Sequence, residues 1–156
     1  MQKIDSLNQV AEFHHTFKAP VLDTPQIPSA DRCKLRVSLI AEELKELQEA
    51  IDNNDLVEVA DALCDIQYVL SGAVLEFGLG EKFVDLFNEV QRSNMSKACS
   101  SYEEAEATVK FYADKDGTEA EIVADGDKFL VYRIADNKVL KSVKYSPADL
   151  KGILGV

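Results

Sequence analysis

AEELKELQEAIDNNDLVEVADALCDIQYVL, residues 41–70, carries nine acidic residues between Glu42 and Asp65 and a single base, Lys45. The stretch reads as two helical segments broken by Asn53-Asn54-Asp55, and so short a break makes the two helices antiparallel neighbours. Residues three or four apart share a helix face, which aligns Glu43 with Glu46, Glu42 with Glu46, and Glu46 with Glu49. On the second segment Glu58, Asp61 and Asp65 form one stripe that Tyr68 continues. Like charges at these spacings repel by about 0.2–0.5 kcal/mol per pair on an exposed helix, and by more when desolvated. The second segment is largely apolar from Val57 to Leu75, so Asp61 and Asp65 are costly there without a partner. With almost no Lys or Arg nearby in sequence, the expected partner is a hard divalent cation, magnesium first and manganese as a substitute. Glu49, Asp52 and Asp55 read as solvated or capping groups, and Glu58 is explained equally well as a capping-box residue.

Working outward, residues 2–17 show helical spacing through Ile4, Leu7, Val10, Ala11, Phe13 and Phe17. Pro20, Pro25 and Pro28 enforce an extended loop. Ser29 is placed to cap a helix running to about Asp52, with Leu35, Leu39, Ala41, Leu44, Leu47 and Ile51 as its buried stripe. Asp55 with Glu58 starts the third helix, which Gly78 and Gly80 terminate. A fourth helix runs from Glu81 to about Lys97, and Ser100-Ser101 starts a fifth that reaches about Asp114. TEAEIVADGDKFLVYRIADNKVLKSVKYS then alternates β-branched and aromatic residues with charge, as expected of a three-strand antiparallel meander. Ser146-Pro147 opens a last short helix. The expected fold class is therefore mainly α, a four-helix core (1–99) with a small α+β tail (100–156).

The 156-residue chain has a formal charge of −11, which argues against general affinity for nucleic-acid backbones or anionic membranes. Nearly all the excess acid lies before residue 105. Cys33, Cys64 and Cys99 are odd in number and widely spaced, so they read as buried thiols of a reducing compartment and not as a zinc or disulfide framework. No signal-peptide pattern or membrane-length apolar run is seen, and a cytoplasmic protein is expected.

The acidic segments resemble the all-α NTP pyrophosphatase superfamily of MazG-like and phosphoribosyl-ATP pyrophosphohydrolase-like proteins. Glu43-Leu44-Lys45-Glu46 matches the ExxE helix of that group. Glu58-Val59-Ala60-Asp61 fits its ExxD element literally, whereas Asp61 through Tyr68 is similar to a DxLxDxxY variant. Both alternatives use Asp61, and the second is favoured. Phe13-His14 with Phe17 resembles an FHxxF segment, and Asn94-Met95-Ser96-Lys97 the end of the fourth helix in one branch. The resemblance covers about residues 5–98.

What the resemblance implies is hydrolysis of a nucleoside triphosphate between its α and β phosphates, giving monophosphate and pyrophosphate. Glu43, Glu46, Asp61 and Asp65, with Glu58 in reserve, are the implied metal ligands, and Glu42 the implied base. His14, Arg36, Asn94 and Lys97 are the implied substrate-binding residues. A phosphoribosyl-ATP pyrophosphohydrolase and a non-catalytic nucleotide-binding helical module are the alternatives. A homodimer or tetramer is expected, because the family usually assembles its pocket across a dimer.

Overall fold

The computed structural model of the chain describes residues 4–155. Its elements run α1 (Ser6–Phe17), α2 (Ala30–Asp52), α3 (Leu56–Glu76), a 3-10 turn (Gly80–Lys82), α4 (Phe83–Met95), α5 (Tyr102–Asp116), β1 (Ala120–Asp125), β2 (Lys128–Arg133) and α6 (Leu150–Leu154). The first residues expected in the opening helix, 2 and 3, lie outside the described residues. The chain divides into two compact units, Met1–Phe83 and Val84–Val156. All but the first residue of α4 therefore belongs to the second unit, and the expected four-helix core is not confirmed by this division.

In the first unit α3 is the central helix, packed against both α2 and α1. The hairpin between α2 and α3 closes as its residues dictate. Asn54 takes a left-handed φ of 54°, and the Asp55 N–H donates to the Ala50 carbonyl at 2.9 Å. The Asp55 carboxylate then accepts from the Val57 and Glu58 N–H groups and caps α3, whereas Ser29 makes no side-chain cap on α2. The proline loop is stitched to the end of α3, with Leu22 N–H donating to Leu75 O and Gln26 N–H to Phe77 O. Gly78 permits this crossing: at φ 66° its absent side chain would overlap the Thr24 carbonyl.

A buried ion cluster joins the helices. Glu76 is fully buried near the C-terminus of α3, where Arg32 and Arg36 of α2 both donate to it. His14 of α1 completes the cluster, with Nδ1 at 2.8 Å from Pro20 O and Nε2 at 3.3 Å from Arg36 Nη2. Gly72 leaves room for it, since a Cβ there would stand 2.7 Å from Arg36 Nη1. Burial alone pushes the Glu76 carboxyl up, but the hydrogen bonds from Arg32 and Arg36 outweigh it and hold it below the usual carboxylate range.

The second unit packs α5 on a two-stranded antiparallel sheet around Cys99, Ala105, Val131 and Leu140. β1 and β2 pair from Ala120↔Arg133 to Asp125↔Lys128, and Gly126 at φ 60° makes the turn. The third expected strand does not form; Val139 reaches Tyr132 only as an isolated bridge. The reason lies in Glu104 on α5. Its carboxylate takes hydrogen bonds from Ser142 and Ser100 and an ion pair from Lys144, drawing residues 142–144 off the sheet. Burial pushes Glu104 up, and those hydrogen bonds prevail and hold it at about 2.

Because Glu76 has two arginines while each arginine shares the one acid, deleting the acid and deleting Arg32 should differ in cost. Glu76→Ala strands Arg36 in a dry site and should cost about 3–5 kcal/mol. Arg32→Ala should cost clearly less, since Arg32 is about one-third exposed and Glu76 keeps Arg36. Urea unfolding of the two variants beside the parent measures both; equal losses would contradict the assignment.

Candidate functional site

Glu43 is the centre of the acidic constellation. It projects from the middle of α2, half-buried, and its Oε2 has no hydrogen-bond partner despite being buried. Burial raises its carboxyl above the usual range, and the charges of Glu46, Asp65, Glu42 and Asp61 raise it further. The hairpin therefore brings acids of both helices near enough to Glu43 for their charges to act on it. Asp61 and Asp65 act on Glu43, and Glu58 is not among the groups that do.

Glu58 faces elsewhere. With Glu46, Glu49, Ala50, Asn53 and Asp55 it lines a cavity of about 370 Å³ at the hairpin end. Glu46 thus belongs to both groups. Glu49 and Asn53, which the sequence offered as surface and turn residues, line this second acidic hollow.

Asp61 and Asp65 are exposed along with Leu56, Val57 and Leu63, so the apolar run around them is not a buried one in the single chain. The same holds for much of the expected α2 stripe: Leu44 is 60% and Ile51 54% exposed. Among the described residues no three His, Cys, Asp or Glu side chains converge closely enough to hold a metal ion as they stand. The donor set is nonetheless all carboxylate, and its buried member lacks a partner, which fits a hard cation better than a thiolate or imidazole metal.

The other sequence candidates fall differently. His14 and Arg36, expected to meet substrate, are buried; His14 bonds Pro20 O and Arg36, and Arg36 donates to Glu76, which joins α1, α2, α3 and the proline loop. Arg36 Nε remains buried without a partner. Phe13 and Phe17 stay partly exposed, stacked on one another at 4.4 Å, with Phe13 edge-on to Tyr68 at 5.6 Å. Asn94 and Lys97 belong to the second unit, where Lys97 Nζ donates to Asn94 Oδ1 at 2.8 Å. Cys64 is exposed, against the expectation of three buried thiols. Glu76 and Arg32 went unremarked in the sequence. An acid in the last turn of an apolar helix opposes the helix dipole, and that was the available signal of a required cationic partner.

The match of a family model places the chain in the MazG-like all-α NTP pyrophosphatase superfamily. Residues 10–94 match the model of one family within it, and the chain belongs to that family, the phosphoribosyl-ATP pyrophosphohydrolases. The chain is also similar to an uncharacterized protein of Acanthamoeba polyphaga mimivirus, at 24% identity in an alignment that covers 98% of this chain and 97% of the viral one. No single helix among the described residues is long and apolar enough to cross a membrane.

The crowding at Glu43 has a pH signature. Its folded-state pKa lies above the unfolded value, so its charge weighs against the fold at neutral pH and the penalty fades as the pH falls towards the ordinary carboxylate range. Glu76 contributes with the opposite sign, its stabilisation being lost on acidification through its depressed pKa. Glu43→Gln should therefore unfold at a higher temperature than the parent at pH 7 in chelator, with the gap narrowing towards pH 4.5. Thermal unfolding across that range checks it, and a constant gap would contradict the assignment.

Proposed function

We propose that the protein is a magnesium-dependent nucleoside triphosphate pyrophosphohydrolase, cleaving a ribo- or deoxyribonucleoside triphosphate to the monophosphate and pyrophosphate. The observation that carries this reading is the buried, partnerless Glu43 oxygen surrounded by the charges of Glu42, Glu46, Asp61 and Asp65. Such a cluster is poorly suited to any role but holding cations, and a pyrophosphohydrolase needs cations where its substrate carries phosphates.

Glu43, Glu46, Asp61 and Asp65 are the residues that would hold magnesium, with Glu58 the reserve ligand through Glu46 and their shared cavity. Bound there, the metal supplies charge neutralisation at the phosphates and polarisation of the reacting phosphorus. Glu42 is assigned the general base, its exposed carboxylate taking the proton from the attacking water. Asn94 and Lys97 are assigned substrate contacts, Lys97 as a point charge towards phosphate oxygens and Asn94 as its orienting partner. His14 and Arg36 are assigned positioning roles through the Glu76 cluster.

The name of the matched family favours a second reading, in which phosphoribosyl-ATP is the substrate of the same chemistry. The apolar surface left open on α2 and α3 supports assembly with a second copy, since patches of this kind rarely stay bare on a monomer. Light scattering should then give at least twice the chain mass.

Pyrophosphate release from a panel of ribo- and deoxyribonucleoside triphosphates and phosphoribosyl-ATP, with magnesium, manganese or chelator, tests the reading. Turnover is expected only with the divalent ion, and Asp61→Asn should lower it by more than about 100-fold. Release from phosphoribosyl-ATP alone would select the second reading. No release from any triphosphate with either metal would overturn both and leave a nucleotide-binding module.

A further inference from the structure

In the second unit, Phe111 and Tyr112 of α5 and Tyr145 from the segment before α6 line one cavity of about 360 Å³, together with Lys141, Ser142 and Val143. The Phe111 and Tyr112 rings meet edge-on at 5.2 Å. Lys115 Nζ stands 5.9 Å from the first ring centroid and 5.7 Å from the second. Lys141 Nζ lies 4.4 Å from the centroid of Tyr145. The cavity thus combines three aromatic rings with the ammonium group of Lys141, and a second ammonium group, Lys115, stands beside two of those rings.

Those ammonium groups are held only loosely. Among the described residues neither Lys115 nor Lys141 stands within ion-pair distance of a carboxylate, in contrast to Lys144 on Glu104. Asp116 feels the Lys115 charge but accepts its hydrogen bonds from Thr118. A cation over an exposed ring is worth about 0.5–1 kcal/mol. Either lysine can therefore turn from ring to anion at little cost. Phe111 is 49% exposed and Lys141 and Lys115 are exposed, so the cavity is open to a ligand.

We propose that this pocket binds a mononucleotide, with the base against the aromatic rings and the phosphate between Lys115 and Lys141. Stacking on an aromatic side chain contributes about 1–3 kcal/mol per base, and the two lysines supply the matching charge. Free phosphate leaves the rings unused, and a neutral aromatic leaves the lysines unused. A nucleic-acid strand is disfavoured because residues 84–156 carry 13 acids against 10 bases, which gives no extended basic track for a phosphate backbone. The site uses none of the residues assigned to hydrolysis.

The test is a titration of the full-length protein with adenosine monophosphate in excess EDTA, followed by backbone amide shifts. Chelator removes the divalent ion on which the proposed hydrolysis depends, so failure here and failure of the hydrolase reading are separate results. Saturable shifts are expected at Phe111, Lys115, Val143 and Tyr145. Adenosine alone and inorganic phosphate alone should each bind about tenfold more weakly or worse. The Lys115→Ala/Lys141→Ala variant, changed only at exposed positions, should keep its circular dichroism and lose at least about tenfold in affinity. Shifts confined to residues 1–83, an unchanged affinity in the folded variant, or tighter binding of an oligothymidylate than of adenosine monophosphate would each overturn the proposal.

Discussion

The first unit depends on one buried carboxylate. Glu76 can exist in its dry position only because Arg32 and Arg36 both reach it from α2, and Arg36 in turn meets His14 of α1. Removing two opposite charges from water costs several kcal/mol per ion, so the cluster holds only while the buried pair of Glu76 and Arg36 stays matched. That makes the relative rotation of α2 and α3 a tightly specified quantity. The acids further along the hairpin inherit their alignment from it: turning α2 about its axis to free Arg36 would also turn Glu43 away from Asp61 and Asp65.

The two ends of the α2–α3 pair therefore follow opposite electrostatic rules. At the Glu76 end, acid and base are matched and a carboxyl is held below its usual range. Around Glu43, acid faces acid and a carboxyl is held above it. A fold can tolerate such repulsion when stability comes from elsewhere, which is the common arrangement where a site awaits a charged ligand. The matched end secures the packing that keeps the mismatched end assembled.

Much of the first unit was legible in the sequence because its signals are local. Asn53-Asn54-Asp55 dictates the hairpin, the prolines dictate the loop, and helical spacing puts Glu43 with Glu46 and Asp61 with Asp65. Burial was harder to read. The stripe through Leu44 and Ile51 has the right spacing for a core, but spacing does not say whether the covering surface comes from the same chain. The roles of Arg36 and His14 were hidden for a related reason, since Arg36 finds its partner Glu76 40 residues away in sequence and His14 meets Arg36 across 22. The third strand was misjudged because alternation in KVLKSVKYS is a local cue, while the pull of Glu104 on Ser142 and Lys144 comes from 38 or more residues away.

The boundary between the two units falls at the start of α4. The family match ends at Asn94, and the fourth helix looks like the natural close of a helical domain. Yet the residues that follow α4 are built into the tail: the Cys99 backbone exchanges two hydrogen bonds with Phe129, and Ser142 N–H donates to Lys97 O. Ser93 of α4 itself donates to the Tyr145 hydroxyl, and Arg92 to Ser146 and Pro147. The span that carries the family's sequence signature is thus not a structurally closed module. Its last helix is folded by residues outside the signature, so an insertion or exchange of the tail acts on family residues as directly as a change within them.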